Sequence, residues 1–194
     1  MFKRFLLLLG WLCFLPAGHG GNALLELKPH ERIAFVGGSL AERMSLYGNF
    51  ETLLHARFPQ AELVVRNFGW PADEVGQRQR PYDYTKLDDP LAVFGPETFL
   101  CFFGGNEAFA GPAGLERFKT NYAAFMAEYA QRYGPEGRAR FVLISPVAFE
   151  STGQPFQPDG KRENENLKRY TEAIREIAQA QNLAFVDLFT PTLK

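Results

Sequence analysis

The chain has 194 residues, of which 46% are hydrophobic and 22% are charged, and its formal net charge is −1. These values are typical of one globular domain and exclude collagen-like and intrinsically disordered chains. The near-neutral charge balance gives no indication of binding to nucleic acid or to an anionic membrane surface.

The N-terminus has the pattern of a secretory signal peptide. Lys3 and Arg4 precede an apolar run over residues 5–17, and small residues follow that run. We therefore expect residues 1–20 to be removed and the protein to be secreted or periplasmic, without stable membrane association after cleavage. An uncleaved N-terminal anchor is the alternative. Cys101 would be the only cysteine of the mature domain, residues 24–194, so no intrachain disulfide is expected.

The remaining sequence alternates short apolar runs with longer amphipathic stretches, which is the pattern of βαβ units around a parallel sheet. Five strands are predicted, over residues 32–36, 62–66, 98–103, 140–145 and 184–188. The third and fourth contain the continuously apolar runs FLCFF and FVLIS, as expected of strands covered by helices on both faces.

Three amphipathic stretches predict helices over residues 41–58, 114–133 and 163–180, with a break in the first at Gly48-Asn49. In the first stretch the side chains expected to face the core are Met44, Leu53, Leu54 and Phe58. Two connections, residues 67–96 and 146–162, are longer than packing requires. Both follow strands, so we expect them to form substrate walls at the carboxyl edge of the sheet.

The strongest local signal is Gly37-Gly38-Ser39-Leu40, which follows an apolar strand and begins a helix. Glycines permit a tight turn there, and the helix N-terminus offers N–H groups to an anion. Three interpretations remain open: a serine nucleophile, a phosphate cradle, or a turn in which Ser39 caps the helix. The spacing does not fit a dinucleotide fingerprint, and no phosphate-loop lysine follows.

The second and third strands end in similar turns, and polar groups follow both. The first of these turns contains Ala72 and Asp73, and the second contains Asn106 and Glu107. If these strands neighbour the first, a hydroxyl at Ser39, a backbone N–H at Ala72 and the Asn106 amide converge. These groups are the nucleophile and oxyanion donors of an acyl-transfer site. Asp73 and Glu107 are candidates for substrate binding or for ordering the loops.

The three segments that contain Ser39, Ala72 and Asn106 resemble the sequence blocks of the SGNH (GDSL-type) hydrolases. Ser39 matches the nucleophile of the G-D-S-L block, Ala72 matches the oxyanion-hole glycine, and Asn106 matches the asparagine of G-x-N-[DE]. The resemblance implies a flavodoxin-like three-layer α/β/α sandwich whose five-stranded parallel sheet has the order 2-1-3-4-5. It also implies hydrolysis of small-molecule, lipid or acetylated-carbohydrate esters, without a metal or other cofactor.

The sequence departs from the family pattern at three places. Gly38 replaces the aspartate of the first block, Ala72 restricts a backbone position where the family has glycine, and no D-x-x-H block supplies an acid and base. His30 and His55 are expected to lie about 20 Å from Ser39, beyond the reach of a general base. We therefore expect a C-terminally truncated or catalytically incomplete hydrolase domain, and a non-catalytic module that binds carbohydrate or protein is the alternative.

Overall fold

The computed structural model describes residues 25–77, 89–134 and 138–193. The expected signal peptide, residues 1–20, lies outside this part of the chain, as do residues 78–88 of the first long connection.

Five parallel strands form one sheet with the order β2-β1-β3-β4-β5. The strands are β1 Arg32–Gly37, β2 Val64–Asn67, β3 Thr98–Phe102, β4 Arg140–Ile144 and β5 Ala184–Val186. All five residues of β3 are buried, as the continuously apolar run predicted. The predicted fold class and strand order are confirmed.

Helices cover both faces of the sheet. They are α1 Ser39–Tyr47, α2 Asn49–Arg57, α3 Pro90–Phe94, α4 Leu115–Arg132, α5 Lys161–Ala180 and α6 Phe189–Thr192. A 3₁₀ segment, Glu107–Gly114, precedes α4. One hydrophobic core lies under α4 and α5, and a second lies under α1 and α2. The predicted break in the first helix is confirmed, because Gly48 ends α1 in the left-handed conformation with φ 60°.

Two side chains of that first helical stretch were predicted to face the core and do not. Leu53 is 70% exposed and Phe58 is also exposed, whereas Met44 and Leu54 pack against the core. The reason is the new direction of α2 after Gly48. Its partly buried stripe begins at Phe50, whose ring contacts that of Phe35 edge-on with centroids 5.4 Å apart, and Leu54 follows one turn later.

The amino edge of the sheet holds a buried charged group. Glu31 is fully buried, and its carboxylate accepts hydrogen bonds from the Thr98 hydroxyl and the Arg140 guanidinium. This contact ties the starts of β1, β3 and β4 together. It lies at the sheet edge opposite to the turns that carry the candidate site residues.

In the part of the chain that the structure describes, we find no helix that is both long enough and apolar enough to cross a membrane.

Candidate active site

The turn after β1 brings Ser39 to the carboxyl edge of the sheet. Gly37 has φ 136°, and a Cβ atom there would lie 2.2 Å from the Phe102 carbonyl oxygen, so only glycine fits. Gly38 follows, and its N–H donates to the same carbonyl oxygen at 3.2 Å. Gly38 occupies the N-cap position of α1 and Ser39 is the first helical residue. The interpretation of Ser39 as the capping residue is therefore wrong.

The turn after β2 is fastened to the start of α1. The Asn67 side chain donates to the Ala41 carbonyl at 2.5 Å and accepts from the Gly69 N–H at 2.8 Å. A Cβ atom at Gly69 would lie 2.6 Å from the Ala41 Cβ, so the two segments are in close contact. Ala72 follows with φ 64°, a left-handed conformation that is unfavourable for any residue with a Cβ atom.

The strain at Ala72 gives a testable prediction. Left-handed backbone costs an L-residue roughly 1–2 kcal/mol, whereas glycine adds backbone entropy worth about 0.4–1 kcal/mol to the unfolded chain. We therefore expect Ala72→Gly to raise the free energy of unfolding by about 0.5 kcal/mol in urea titrations. Ala56→Gly in the exposed part of α2 is the matched control, with an expected loss of about 1 kcal/mol. Equal losses in the two variants would contradict a strained Ala72.

The turn after β3 carries Asn106 and is ordered by its neighbour Glu107. The Glu107 carboxylate is buried and accepts hydrogen bonds from the Gly104 N–H at 2.8 Å and the Val75 N–H at 2.9 Å. Burial raises the pKa of the Glu107 carboxyl above its ordinary value of 4.5, although these backbone hydrogen bonds act in the opposite direction. Both of its oxygens thus serve to order two loops, and sequence reasoning had not identified Val75 as a partner.

Ser39 and Asn106 line one small cleft of about 150 Å³. Asp73 also lines it, almost fully buried, and its carbonyl oxygen lies 3.5 Å from the Asn106 side-chain nitrogen. Ala72 directly precedes Asp73 but is not among the residues that form the cleft wall. The structure therefore brings Ser39, Asn106 and Asp73 to a common space, with Ala72 beside it.

A second and larger space also begins at Ser39. This groove has a volume of about 1090 Å³ and runs between the 3₁₀ segment, residues 147–149 and the first turns of α5. The predicted substrate wall after β4 thus lies at this edge of the sheet. Ser39 stands where the small cleft and the large groove meet.

The two histidines in the described ranges lie elsewhere. His30 precedes β1 at the amino edge, where its Nδ1 is 3.2 Å from a Glu62 carboxylate oxygen. The length of β1 separates it from Ser39, which is about 20 Å for six residues. His55 is exposed on α2, whose last residues lead toward the amino edge where β2 begins.

Asp187 follows β5 at the carboxyl edge and has structural partners. Its carboxylate accepts hydrogen bonds from Arg175 at 2.6 Å and from the N–H and hydroxyl of Thr190 at 2.9 and 2.8 Å. Burial acts to raise the pKa of Asp187, but these hydrogen bonds and the Arg175 charge lower it below its ordinary value. Across residues 25–77, 89–134 and 138–193, no group of three or more His, Cys, Asp or Glu is arranged to hold a metal ion.

Comparisons with known proteins place this geometry in context. Residues 35–194 match a family model described as the GDSL-like lipase/acylhydrolase family. A gut microbial diltiazem-metabolizing enzyme has a similar structure, with a TM-score of 0.65 and 23% identity over 88% of this chain and 39% of its own length. An acetylxylan esterase from Geobacillus stearothermophilus gives a TM-score of 0.59 and 17% identity, over 84% of this chain and 78% of its own. The native aryl esterase of M. smegmatis gives a TM-score of 0.58 and 18% identity, over 81% of this chain and 83% of its own. At these identities the likeness shows a shared fold. A search of curated proteins found no match.

Proposed function

The chain belongs to the GDSL-like lipase/acylhydrolase family, and on this basis we propose that it is a serine ester hydrolase with Ser39 as its nucleophile. The observation that carries the proposal is the position of Ser39 at the first residue of α1, in the same cleft as Asn106. A hydroxyl and a side-chain amide that face one small space are the parts that acyl transfer requires.

In the proposed reaction the Ser39 Oγ attacks the ester carbonyl carbon, and the carbonyl oxygen becomes negatively charged. The N–H groups of Ser39 and Ala72, together with the Asn106 amide, are the proposed donors to this oxyanion. Ser39 lies in the first turn of α1, where backbone N–H groups have no partner within the helix and the helix dipole favours negative charge. The bond to the alcohol oxygen then breaks, and the alcohol leaves with the proton that Ser39 gave up. Water finally hydrolyses the acyl-serine ester, which releases the carboxylic acid and restores the Ser39 hydroxyl.

The two spaces at Ser39 support separate binding places for the acyl and alcohol portions of an ester substrate. The small cleft of about 150 Å³ suits a short acyl group such as acetyl, and the groove of about 1090 Å³ suits a larger alcohol portion. The proposed substrates are therefore acetyl or other short-chain esters of small molecules or carbohydrates. The expected signal peptide supports activity in a secreted or periplasmic setting.

A second candidate function is a non-catalytic binding module. The positions of His30 and His55 favour it, because neither imidazole in the described part of the chain lies where it could accept the Ser39 proton. In this case the cleft and groove would bind an ester or carbohydrate without cleaving it.

A fluorophosphonate probe distinguishes the two functions, because it reacts covalently with activated serines. We expect one adduct per chain, mapped by mass spectrometry to Ser39 and absent from Ser39→Ala. Ser45→Ala is the matched control, since Ser45 lies on the same helix with its hydroxyl bonded to the Glu42 carbonyl, and it should label like the wild type. A folded wild-type protein that forms no adduct at Ser39 would overturn the hydrolase proposal in favour of the binding module.

A further inference from the structure

The large groove beside Ser39 has fixed walls. On one side, the Tyr170 hydroxyl of α5 donates to the Gly111 carbonyl of the 3₁₀ segment at 3.0 Å. On the other, the Asn164 amide of α5 accepts from the Phe149 N–H at 2.8 Å and donates to the Phe149 carbonyl at 3.0 Å. The Ala148 N–H adds a bond to the Thr192 hydroxyl at 2.9 Å. Because both walls are bonded to α5, the groove is a built feature of the fold.

Apolar side chains line much of this groove. Phe109 of the 3₁₀ segment is 80% exposed, and Val147 on the opposite wall is also exposed. Pro112, Phe149 and Leu167 add further apolar lining, together with three alanines of the two walls. Walls of this composition favour an aromatic or alicyclic group.

Three arginines, Arg43, Arg162 and Arg169, line the same groove, together with Glu163 and Glu165. Arg162 is paired with Glu163 at 3.2 Å. Arg43 and Arg169, by contrast, form no ion pair with any residue in the described ranges. Within the described part of the chain, the groove therefore presents two guanidinium groups without an ion-pair partner, in a protein whose formal net charge is −1.

Arg43 is placed close to the reacting group. It lies four residues after Ser39 on α1, so the two side chains share a helix face, about 6 Å apart along the axis. Arg162 and Arg169 are seven residues apart on α5 and therefore also share a face. Because Ser39 and the three arginines line the same groove, an anionic group on the alcohol portion of an ester at Ser39 would lie in a space that these cations border.

We propose that the large groove selects esters whose alcohol portion combines an aromatic or alicyclic ring with a carboxylate, which Arg43 and Arg169 bind. This inference rests on the proposed function for the orientation of the ester, with its carbonyl at Ser39. A guanidinium matches a carboxylate in both charge and hydrogen-bond geometry.

The test compares 4-acetoxyphenylacetate with its neutral methyl ester as ligands of the Ser39→Ala protein, by calorimetric titration. We expect the anionic ester to bind about fivefold more tightly, and this preference to fall in 1 M salt. Arg43→Gln and Arg169→Gln should each reduce the preference. Lys168→Gln is the matched control, because Lys168 precedes Arg169 on α5, is exposed and does not line the groove. The preference of Lys168→Gln for the anionic ester should equal that of the Ser39→Ala protein without a further substitution.

Equal affinities for the two esters, or no binding of either at millimolar concentration, would overturn the inference. So would a loss in Lys168→Gln as large as that in the arginine variants, because attraction would then be to general surface charge. The binding measurement needs no chemistry at Ser39. Failed fluorophosphonate labelling with a preserved ester preference would therefore remove the hydrolase proposal alone, and labelling without that preference would remove this inference alone.

Discussion

Glu107→Ala is expected to lower the free energy of unfolding by about 4 kcal/mol. The substitution removes the acceptor of two buried N–H groups, those of Val75 and Gly104, and each unpaired buried donor costs about 1–3 kcal/mol. The loss should appear in urea titrations as a lower midpoint. Fluorophosphonate labelling at Ser39 should also slow, because Asn106 stands on the turn that this carboxylate orders.

Glu107→Gln is the matched control for shape, and it also isolates the effect of charge. The glutamine oxygen can still accept one bond, so we expect a loss of about 2 kcal/mol, roughly half that of alanine. A loss in alanine no larger than in glutamine would contradict the bridging role of Glu107.

The raised pKa of Glu107 adds a dependence on pH. Its pKa in the folded protein lies above the ordinary value of 4.5, so the folded state holds this proton more tightly than the unfolded chain. The resulting stabilisation is complete below 4.5 and is lost as pH rises through the folded pKa. The free energy of unfolding of the wild type, relative to that of Glu107→Gln, should therefore decline as pH rises from 4.5 through the folded pKa. Urea titrations of both proteins at several pH values measure this difference. A constant difference would contradict the raised pKa.

Gly37→Ala is expected to cost at least about 4 kcal/mol, and the variant is expected to be poorly soluble. The new Cβ would lie 2.2 Å from the Phe102 carbonyl oxygen and 2.7 Å from its carbon, and φ is 136°. Backbone atoms of a central strand cannot move aside without breaking the pairing of β1 with β3.

Gly48→Ala separates the steric clash at Gly37 from the cost of an unusual φ. Gly48 has φ 60°, but a Cβ there would have no heavy atom within 4 Å, so we expect a loss of only about 1 kcal/mol. Thermal unfolding and soluble yield of the two variants check this. Similar losses would show that the contact with Phe102 is not what requires glycine at position 37.

The sequence predicted the parts of the fold whose residues interact locally or form long periodic patterns. The apolar runs of β3 and β4 predicted burial on both faces, and the stripe of α4 predicted its bounds to within one residue at each end. Leu53 was assigned wrongly because Gly48 redirects the helix, which a continuous periodicity cannot show. The 3₁₀ segment and the short helices α3 and α6 are too short to produce a periodic signal.

In the candidate site, too, local sequence predicted some residues, whereas contacts between remote segments could not be predicted. Ser39 and Asn106 could be located because each follows glycines directly after a strand, so a few neighbouring residues fix the turn. The contact between Glu107 and Val75 spans 32 residues, and nothing near either residue announces it. The large groove depends on α5, whose Asn164 and Tyr170 determine where two remote segments lie. Only the folded chain brings these segments together.

Because both groove walls are attached to α5, the proposed bond-breaking groups and the proposed ligand-selecting surface lie on different elements of the protein. The proposed bond-breaking groups stand on turns after β1, β2 and β3, whereas Asn166 and Arg169 of α5 form part of the surface that a ligand's remote portion would meet. Substitutions on that face of α5 can therefore alter which molecules are accepted while the turns around Ser39 keep their positions. A small set of variants restricted to this helix face is therefore the most direct way to change ligand preference without altering the proposed reaction centre.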